Sequence, residues 1–323
     1  MTMRLPITRR RLGGGLLAAG VARGARAQSY PARPIRLVVP FAPGGGVDAV
    51  GRILAEPLGV ALRQPVVVEN RAGAGGAIGV DMVAKSPPDG YTLSMTSPGN
   101  MTVGPVVRPT PYDPLSLGFV SMVVRSPLLL VCRNSLPART LAEFVALVRR
   151  QPDLIRVASG GVGTGPHLAG ELLNLRLGAR MVHVPYRGTG PALTDLIAGN
   201  VDVFFSDASV WPMVQQNQLR LLAVSTAAAW ETSPQTPSMI TEVSAFDIAN
   251  WYGVVAAPGT PESILDRLAG EIAQVVAQPE NLEAFRRQGF QPAPMAPAAF
   301  AAFVRTETET WRAVVQAANI RAD

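Results

Sequence analysis

The sequence predicts an α/β protein of two lobes, each a mostly parallel sheet flanked by helices. Three observations carry this expectation. An apolar run, a glycine-rich loop and an amphipathic run follow one another over residues 35–58, and the same succession returns over residues 155–177. Between and after them, short β-branched runs alternate with helical patterns, as in strands joined by crossover helices. The chain has 323 residues and is 48% hydrophobic, enough to bury two cores.

The first unit opens with the apolar run Ile35 to Val39, passes through Pro43, Gly44, Gly45 and Gly46, and continues with Val47, Val50, Leu54 and Leu58 on one helical face. A helix N-terminus presents unpaired N–H groups and the positive end of its dipole. Glycines let an anion approach that backbone with no Cβ in the way. This loop is expected to grip a carboxylate. Val66 to Glu69 reads as a short strand, and Arg71 to Gly76 as a second glycine loop that only connects strand to helix. Ala77 to Lys85 looks helical, Pro87-Pro88-Asp89-Gly90 is a turn, and Tyr91 to Thr96 is a strand.

Residues 97–118 are rich in Pro and Gly and show little periodicity. Phe119 to Val124 and Leu128 to Val131 read as two strands broken by Ser126-Pro127, where the chain is expected to pass to a second lobe. Thr140 with Glu143 fits a capping box ahead of a helix to Arg150. Ile155 to Ala158 is a strand, Ser159 to Gly165 the matching glycine loop, and Pro166 to Leu177 its helix, with proline in the first turn. Strands are expected at Met181 to Pro185, Val201 to Ser206 and Leu219 to Val224, with a helix over Pro191 to Ala198. A strand at Ile248 to Val255 returns to the first lobe, and helices at Pro261 to Ala277, Asn281 to Gln288 and Pro297 to Ala318 complete the chain. The expected division is residues 28–127 with 252–323 in one lobe and residues 128–251 in the other. Ligands in such sheets sit outside the C-terminal strand ends, so the two glycine loops are expected to line one cleft.

The N-terminus reads as an export signal over residues 1–27. Thr8-Arg9-Arg10-Arg11-Leu12 is twin-arginine-like, Leu12 to Val21 is a short apolar region, and Ala25-Arg26-Ala27 fits a cleavage site. Export to the periplasm with cleavage after Ala27 follows. Residues 1–27 hold six of the 29 basic residues and no acidic one; the remaining 23 match the 23 acidic residues. The basic balance of the full chain is therefore no argument for nucleic acid. Cys132, the one cysteine, lies in an apolar run and reads as a buried thiol.

Three patterns in the sequence suggest a cofactor, catalysis or a metal. Gly44 to Ala49 formally fits G-x-G-x-x-A, with Glu69 ending the next strand. Against a dinucleotide stand the long approach Phe41-Ala42-Pro43 and the carboxylate of Asp48, where a pyrophosphate would sit. Ser159, His167 and Asp207 could be assembled into a hydrolase triad, but no G-x-S-x-G elbow surrounds Ser159. Two histidines, His167 and His183, with no clustered carboxylate do not make a metal site. No catalysis, cofactor or metal is expected; an exported hydrolase using Ser159 and His167 is the alternative.

Several ordered stretches carry a family resemblance: Val39-Pro40-Phe41-Ala42-Pro43-Gly44-Gly45 with Asp48, Val68-Glu69-Asn70-Arg71 with Gly73-Ala74-Gly75-Gly76, Pro88 to Leu93, Tyr112-Asp113-Pro114, His167 to Glu171, Val184 to Gly188, Trp251-Tyr252-Gly253 and Pro258 to Pro261. On these the chain resembles the Bug family, periplasmic substrate-binding proteins of tripartite tricarboxylate transporters. The resemblance implies a type II, Venus-flytrap periplasmic-binding-protein fold that closes on a small carboxylate. It implies transporter membrane subunits or a sensor kinase as partners, and a monomer. It implies ligand-binding positions at Phe41, Ala42, Gly44, Gly45 and Asp48 on the first loop, at Ser159, Gly163, Thr164 and His167 on and after the second, and at Ser97 and Asp207. Asp48 has two roles open to it, contact with ligand or stabilisation of the helix start.

Overall fold

A computed structural model describes residues 30–317 and, beyond that stretch, residue 2. The expected export signal and its cleavage point lie outside the described residues, residue 2 apart.

Eleven strands are described: β1 (Ile35–Val39), β2 (Val66–Asn70), β3 (Thr92–Thr96), β4 (Gly118–Pro127), β5 (Leu129–Arg133), β6 (Arg156–Ser159), β7 (Val182–Pro185), β8 (Val203–Ser206), β9 (Leu219–Val224), β10 (Ala249–Ala256) and β11 (Gln291–Pro292). They form a six-stranded sheet in the order β11-β4-β10-β3-β1-β2 and a five-stranded sheet in the order β7-β6-β8-β5-β9. The two-lobe α/β expectation holds. The expected mostly parallel sheets are instead mixed. β1 pairs in parallel with β2 and β3, and β6 with β7 and β8. β10 runs antiparallel to β3 and β4, and β5 antiparallel to β8 and β9. Apolar content reports burial on both faces, which parallel and antiparallel strands share in the middle of a covered sheet, so strand direction was not readable.

The glycine loops at β1 and β6 leave parallel strands, as expected. The helix after β1 spans Gly46–Leu62 and buries Val47, Val50, Leu54 and Leu58. The helix after β6 spans Gly165–Leu177 and buries Leu168, Leu172 and Leu173. β4 runs unbroken through Pro127 because it keeps its partner on β10 as far as the Ala249–Pro127 pair. Residues 97–118, which looked irregular, hold two single-turn helices, Pro98–Met101 and Gly104–Val107. The Thr140 cap forms, with its Oγ1 accepting from Glu143 N–H at 3.2 Å. Glu143 itself accepts from the N–H of Arg139 at 2.6 Å, one residue before the cap.

The chain crosses between sheets at Leu128 and returns through Ile248. Ser225, fully buried, ties both crossings together. Its hydroxyl accepts from Leu128 N–H at 2.8 Å and donates to the Ile248 carbonyl at 2.5 Å. Its backbone N–H donates to Leu128 and its carbonyl accepts from Ile248. Cys132 is buried in β5, and burial pushes its thiol up to about 11, the state of an inert structural residue.

Candidate functional site

The first glycine loop is held from below by Asp48. One carboxylate oxygen accepts from Gly44 N–H at 3.1 Å and from Arg52 Nε at 3.0 Å; the other accepts from Asn70 Nδ2 at 2.9 Å. Asn70, at the end of β2, also donates to the Phe41 carbonyl at 3.1 Å. Burial works against the charge of Asp48, but the hydrogen bonds from Arg52, Asn70 and Gly44 outweigh it and hold the carboxyl below its usual range. Both oxygens are committed to shaping the loop. The local sequence supplies part of this, since Asp48 falls in the first helical turn within reach of Gly44 N–H and one turn before Arg52, and Asn70 from β2 completes it.

Across from this loop stands a fourth glycine-rich stretch, Arg187 to Gly190, which runs from the end of β7 into the helix Thr189–Ala198. Ala42 N–H donates to the Arg187 carbonyl at 3.3 Å. A Cβ built on Gly190 would stand 2.6 Å from the Pro43 carbonyl oxygen, so only glycine permits this approach. Asp207, just beyond β8, reaches over to the start of the Gly46–Leu62 helix. Its Oδ2 accepts from Gly46 N–H at 3.3 Å and from Thr189 Oγ1 at 3.1 Å. Its Oδ1 accepts from Ser209 N–H at 2.9 Å. The Tyr252 hydroxyl also bonds to Asp207 and accepts from Asn250 Nδ2 at 2.9 Å. Burial, then the charge of Asp207, push that hydroxyl well above its usual range, so it keeps its proton.

These groups line a cavity of about 40 Å³. Of the expected site residues, Phe41, Gly45, Ser97, Thr164 and Asp207 line it. Both expected glycine loops therefore do face one cavity. Ala42 and Gly44 lie in the loop but make the contacts described above. Gly163 packs against Gly104, and its N–H donates to His167 Nδ1 at 3.2 Å.

Asp48, Ser159 and His167 do not line the cavity. Ser159 is fully buried and its Oγ accepts from Gly161 N–H at 3.1 Å, bracing the second loop. Its histidine neighbour is His183, with Nε2 at 2.6 Å, rather than His167. The two histidine rings stack at 4.1 Å. Burial lowers both to about 4, with the charge of His183 adding to the effect on His167, so both are neutral at pH 7. A serine sealed from the cavity, behind loop backbone, is no nucleophile for a solute in that cavity. Among the described residues no cluster of His, Cys, Asp and Glu could hold a metal ion.

Gly46, the last glycine of the first loop, lines the same cavity, as do Thr189, Asn250 and Tyr252, which sequence reasoning missed. A signal for Thr189 was present: Tyr186-Arg187-Gly188-Thr189-Gly190 joins strand to helix in a fourth strand–glycine loop–helix unit. Asn250 and Tyr252 left none, because their position depends on where β10 crosses between the sheets. The loop at residues 73–76, expected only to connect, also faces the other lobe: a Cβ at Gly75 would stand 2.8 Å from the Val162 carbonyl oxygen.

The fold and these loops have known relatives. Residues 50–320 match the family described as "Tripartite tricarboxylate transporter family receptor". The chain is similar to the solved periplasmic binding protein BugD, with 31% identity, a TM-score of 0.87, and coverage of 91% of this chain and 100% of that one. It is similar to Rpa4515 of R. palustris, solved with adipate, with 31% identity, a TM-score of 0.88 and coverage of 90% and 99%. It is similar to MatC (Rpa3494) of Rhodopseudomonas palustris, solved with bound malate, with 30% identity, a TM-score of 0.84 and coverage of 88% and 100%. With most of its length matched by that family and its two sheets superposing on those structures, the chain belongs to the tripartite tricarboxylate transporter receptors, a family of periplasmic solute-binding proteins and not of enzymes.

Proposed function

We propose that this protein captures a small carboxylate-bearing solute between its two lobes and delivers it to the membrane subunits of a tripartite tricarboxylate-type transporter or to a sensor. One observation carries this most directly. The start of the Gly46–Leu62 helix receives a carboxylate, that of Asp207, through the Gly46 N–H with Thr189 beside it. The first turn of a helix has further N–H groups with no carbonyl one turn back, and the dipole favours a negative group there. A solute carboxylate entering between the lobes meets the remaining N–H groups of that turn. Adipate and malate in the two Rhodopseudomonas relatives support this ligand class.

The lobes are residues 28–127 with 252–323 and residues 128–251, moving about the crossings at Leu128 and Ile248 that Ser225 joins. A solute enters with the lobes apart and is enclosed as they close. Phe41, Gly45, Ser97, Thr164 and Asp207 contact the solute, joined by Gly46, Thr189 and Tyr252. Ala42, Gly44, Asp48, Gly163, Ser159 and His167 shape the loops that do so. The protein acts as a monomer in the periplasm after cleavage following Ala27.

Thermal melting with a panel of mono-, di- and tricarboxylates tests this. A cognate solute at a hundred times its Kd stabilises by about 2.7 kcal/mol, a rise of several degrees in Tm. If no carboxylate raises Tm while an uncharged solute does, carboxylate capture is wrong.

A further inference from the structure

Trp230 lies outside the solute cavity, in the stretch between β9 and β10. It follows an exposed run, Ala227 to Ala229, yet is itself only 1% exposed. The stretch is fastened to the five-stranded sheet. Val224 N–H donates to the Pro237 carbonyl at 2.9 Å, Val224 bridges in parallel to Ser238, and Ser238 Oγ donates to the Thr226 carbonyl at 2.6 Å. The indole, by contrast, is anchored in the other lobe, where its Nε1 donates to the Gly289 carbonyl at 3.2 Å. Gly289 stands two residues before β11, and its N–H donates to the Arg286 carbonyl at 2.8 Å. β11 pairs with β4 in the six-stranded sheet.

The fit is close. Gly289 has φ 77°, and a Cβ there would stand 2.6 Å from Trp230 Cζ2 and 3.0 Å from Ala208 Cβ, so only glycine leaves room for the ring. Trp211 packs edge-on against Trp230, with ring centroids 4.9 Å apart. From Gly289 the packing runs on to the solute cavity. Phe290, buried, meets the Tyr252 ring edge-on at 5.7 Å, and Tyr252 bonds to Asp207. The lobe contacts around the cavity itself are of another kind. Ala42 to Arg187, Gly46 to Asp207 and Gly190 against Pro43 are backbone or polar approaches. Water replaces such hydrogen bonds at little net cost when the lobes part. A tryptophan buries about 150–250 Å², and parting the lobes returns its share of that apolar surface to water with nothing in exchange.

We propose that Trp230 is a latch: seated on Gly289, it holds the two lobes closed in the absence of solute, and the cleft opens only transiently. This rests on solute capture between the lobes and adds to it how access is regulated. Solute reaches the cavity only in the open fraction, so the latch slows entry in proportion to that fraction. The enclosed state keeps the latch contact unchanged, because solute occupies the same closed form that the empty protein rests in. Loss of the indole shifts the empty protein toward the open form and leaves each lobe's own sheet intact.

The test is small-angle scattering of the intact mature protein, dialysed free of solute, beside Trp230→Ala, Gly289→Ala and Gly178→Ala. Gly178 has φ 62°, and a Cβ there meets nothing within 4 Å, so Gly178→Ala carries the same kind of backbone strain without touching a lobe contact. The expected result is one small radius of gyration shared by the unaltered protein and Gly178→Ala, and a larger one shared by Trp230→Ala and Gly289→Ala. The open-to-closed ratio rises about 100-fold or more in Trp230→Ala. Where Trp230→Ala does not fold, the comparison of Gly289→Ala with Gly178→Ala decides. An equal radius in the unaltered protein and in Gly289→Ala overturns the latch, whether both are small or both large. Expansion of Gly178→Ala to the same extent as Gly289→Ala also overturns it, because backbone strain then explains the opening. None of these outcomes involves a solute, so each leaves carboxylate capture standing; a carboxylate panel without effect on Tm counts against capture and leaves the latch.

Discussion

The Oδ2 atom of Asp207 lies 3.3 Å from the backbone nitrogen of Gly46, so a carboxylate from one lobe sits at the start of a helix in the other. Thr189 and Tyr252 hold it there. On the proposed function the same few atoms serve lobe contact and anion recognition, linking solute occupancy to closure.

Gly46→Ala probes that link. A Cβ at Gly46 would stand 2.5 Å from Asp207 Oδ1 and 2.7 Å from the Tyr252 hydroxyl. Alanine suits a helix better than glycine by about 0.5–1 kcal/mol, so the lobe itself does not lose stability. The expected outcome is a Tm within a few degrees of the unaltered protein, a larger radius of gyration by small-angle scattering, and carboxylate affinity at least tenfold weaker. An unchanged radius together with unchanged affinity refutes the role of this contact in closure.

Asp48→Asn tests the brace beneath the first loop. The substitution keeps the shape and removes the charge that Arg52, Asn70 and Gly44 share. A loss of about 1–3 kcal/mol in urea denaturation is expected at pH 7. Because the folded protein holds this carboxyl below its usual range, its contribution is fully present above the unfolded pKa of about 3.9. It is lost as pH falls through the lower folded value. The stability difference between the two proteins should therefore close on acidification below pH 4. A constant difference down to pH 2 contradicts this assignment.

Glu307 predicts the opposite slope. It lies in the C-terminal helix Pro297–Ala317, where Trp251 Nε1 donates to it at 2.7 Å. Burial raises its carboxyl to about 7 despite hydrogen bonds from Trp251, Thr102 and Trp311. The folded state thus binds this proton more tightly than the unfolded chain does. Its contribution is greatest below the unfolded pKa of about 4.3 and falls as pH rises to 7, by on the order of 2–3 kcal/mol. Glu307→Gln should flatten stability between pH 5 and pH 8, read as the urea midpoint at each pH. If both proteins show the same slope, Glu307 does not titrate there.

Much of this protein is local enough to be written in its sequence. The loop from Phe41 to Asp48, the recurrence at Ser159 to Gly165 and the helix faces of Val50, Leu54 and Leu58 each depend on neighbours within one or two turns. Periodicity and glycine placement report such neighbours directly. The ordered stretches, read together, also point to the family. What tertiary structure alone decided is pairing between residues far apart in the chain. Strand direction in β5 and β10 follows from where the chain crosses between sheets. Asp48 is turned from a candidate ligand contact into a brace by Asn70, 22 residues away. Ser159 meets His183 and not His167 because β6 and β7 are neighbours in the second sheet. Asp207 reaches Gly46 across 161 residues, and Trp230 reaches Gly289 across 59. Side-chain chemistry names what each group can do, but the partner that makes it do so is chosen by chain crossings and lobe contact, and no local pattern encodes those.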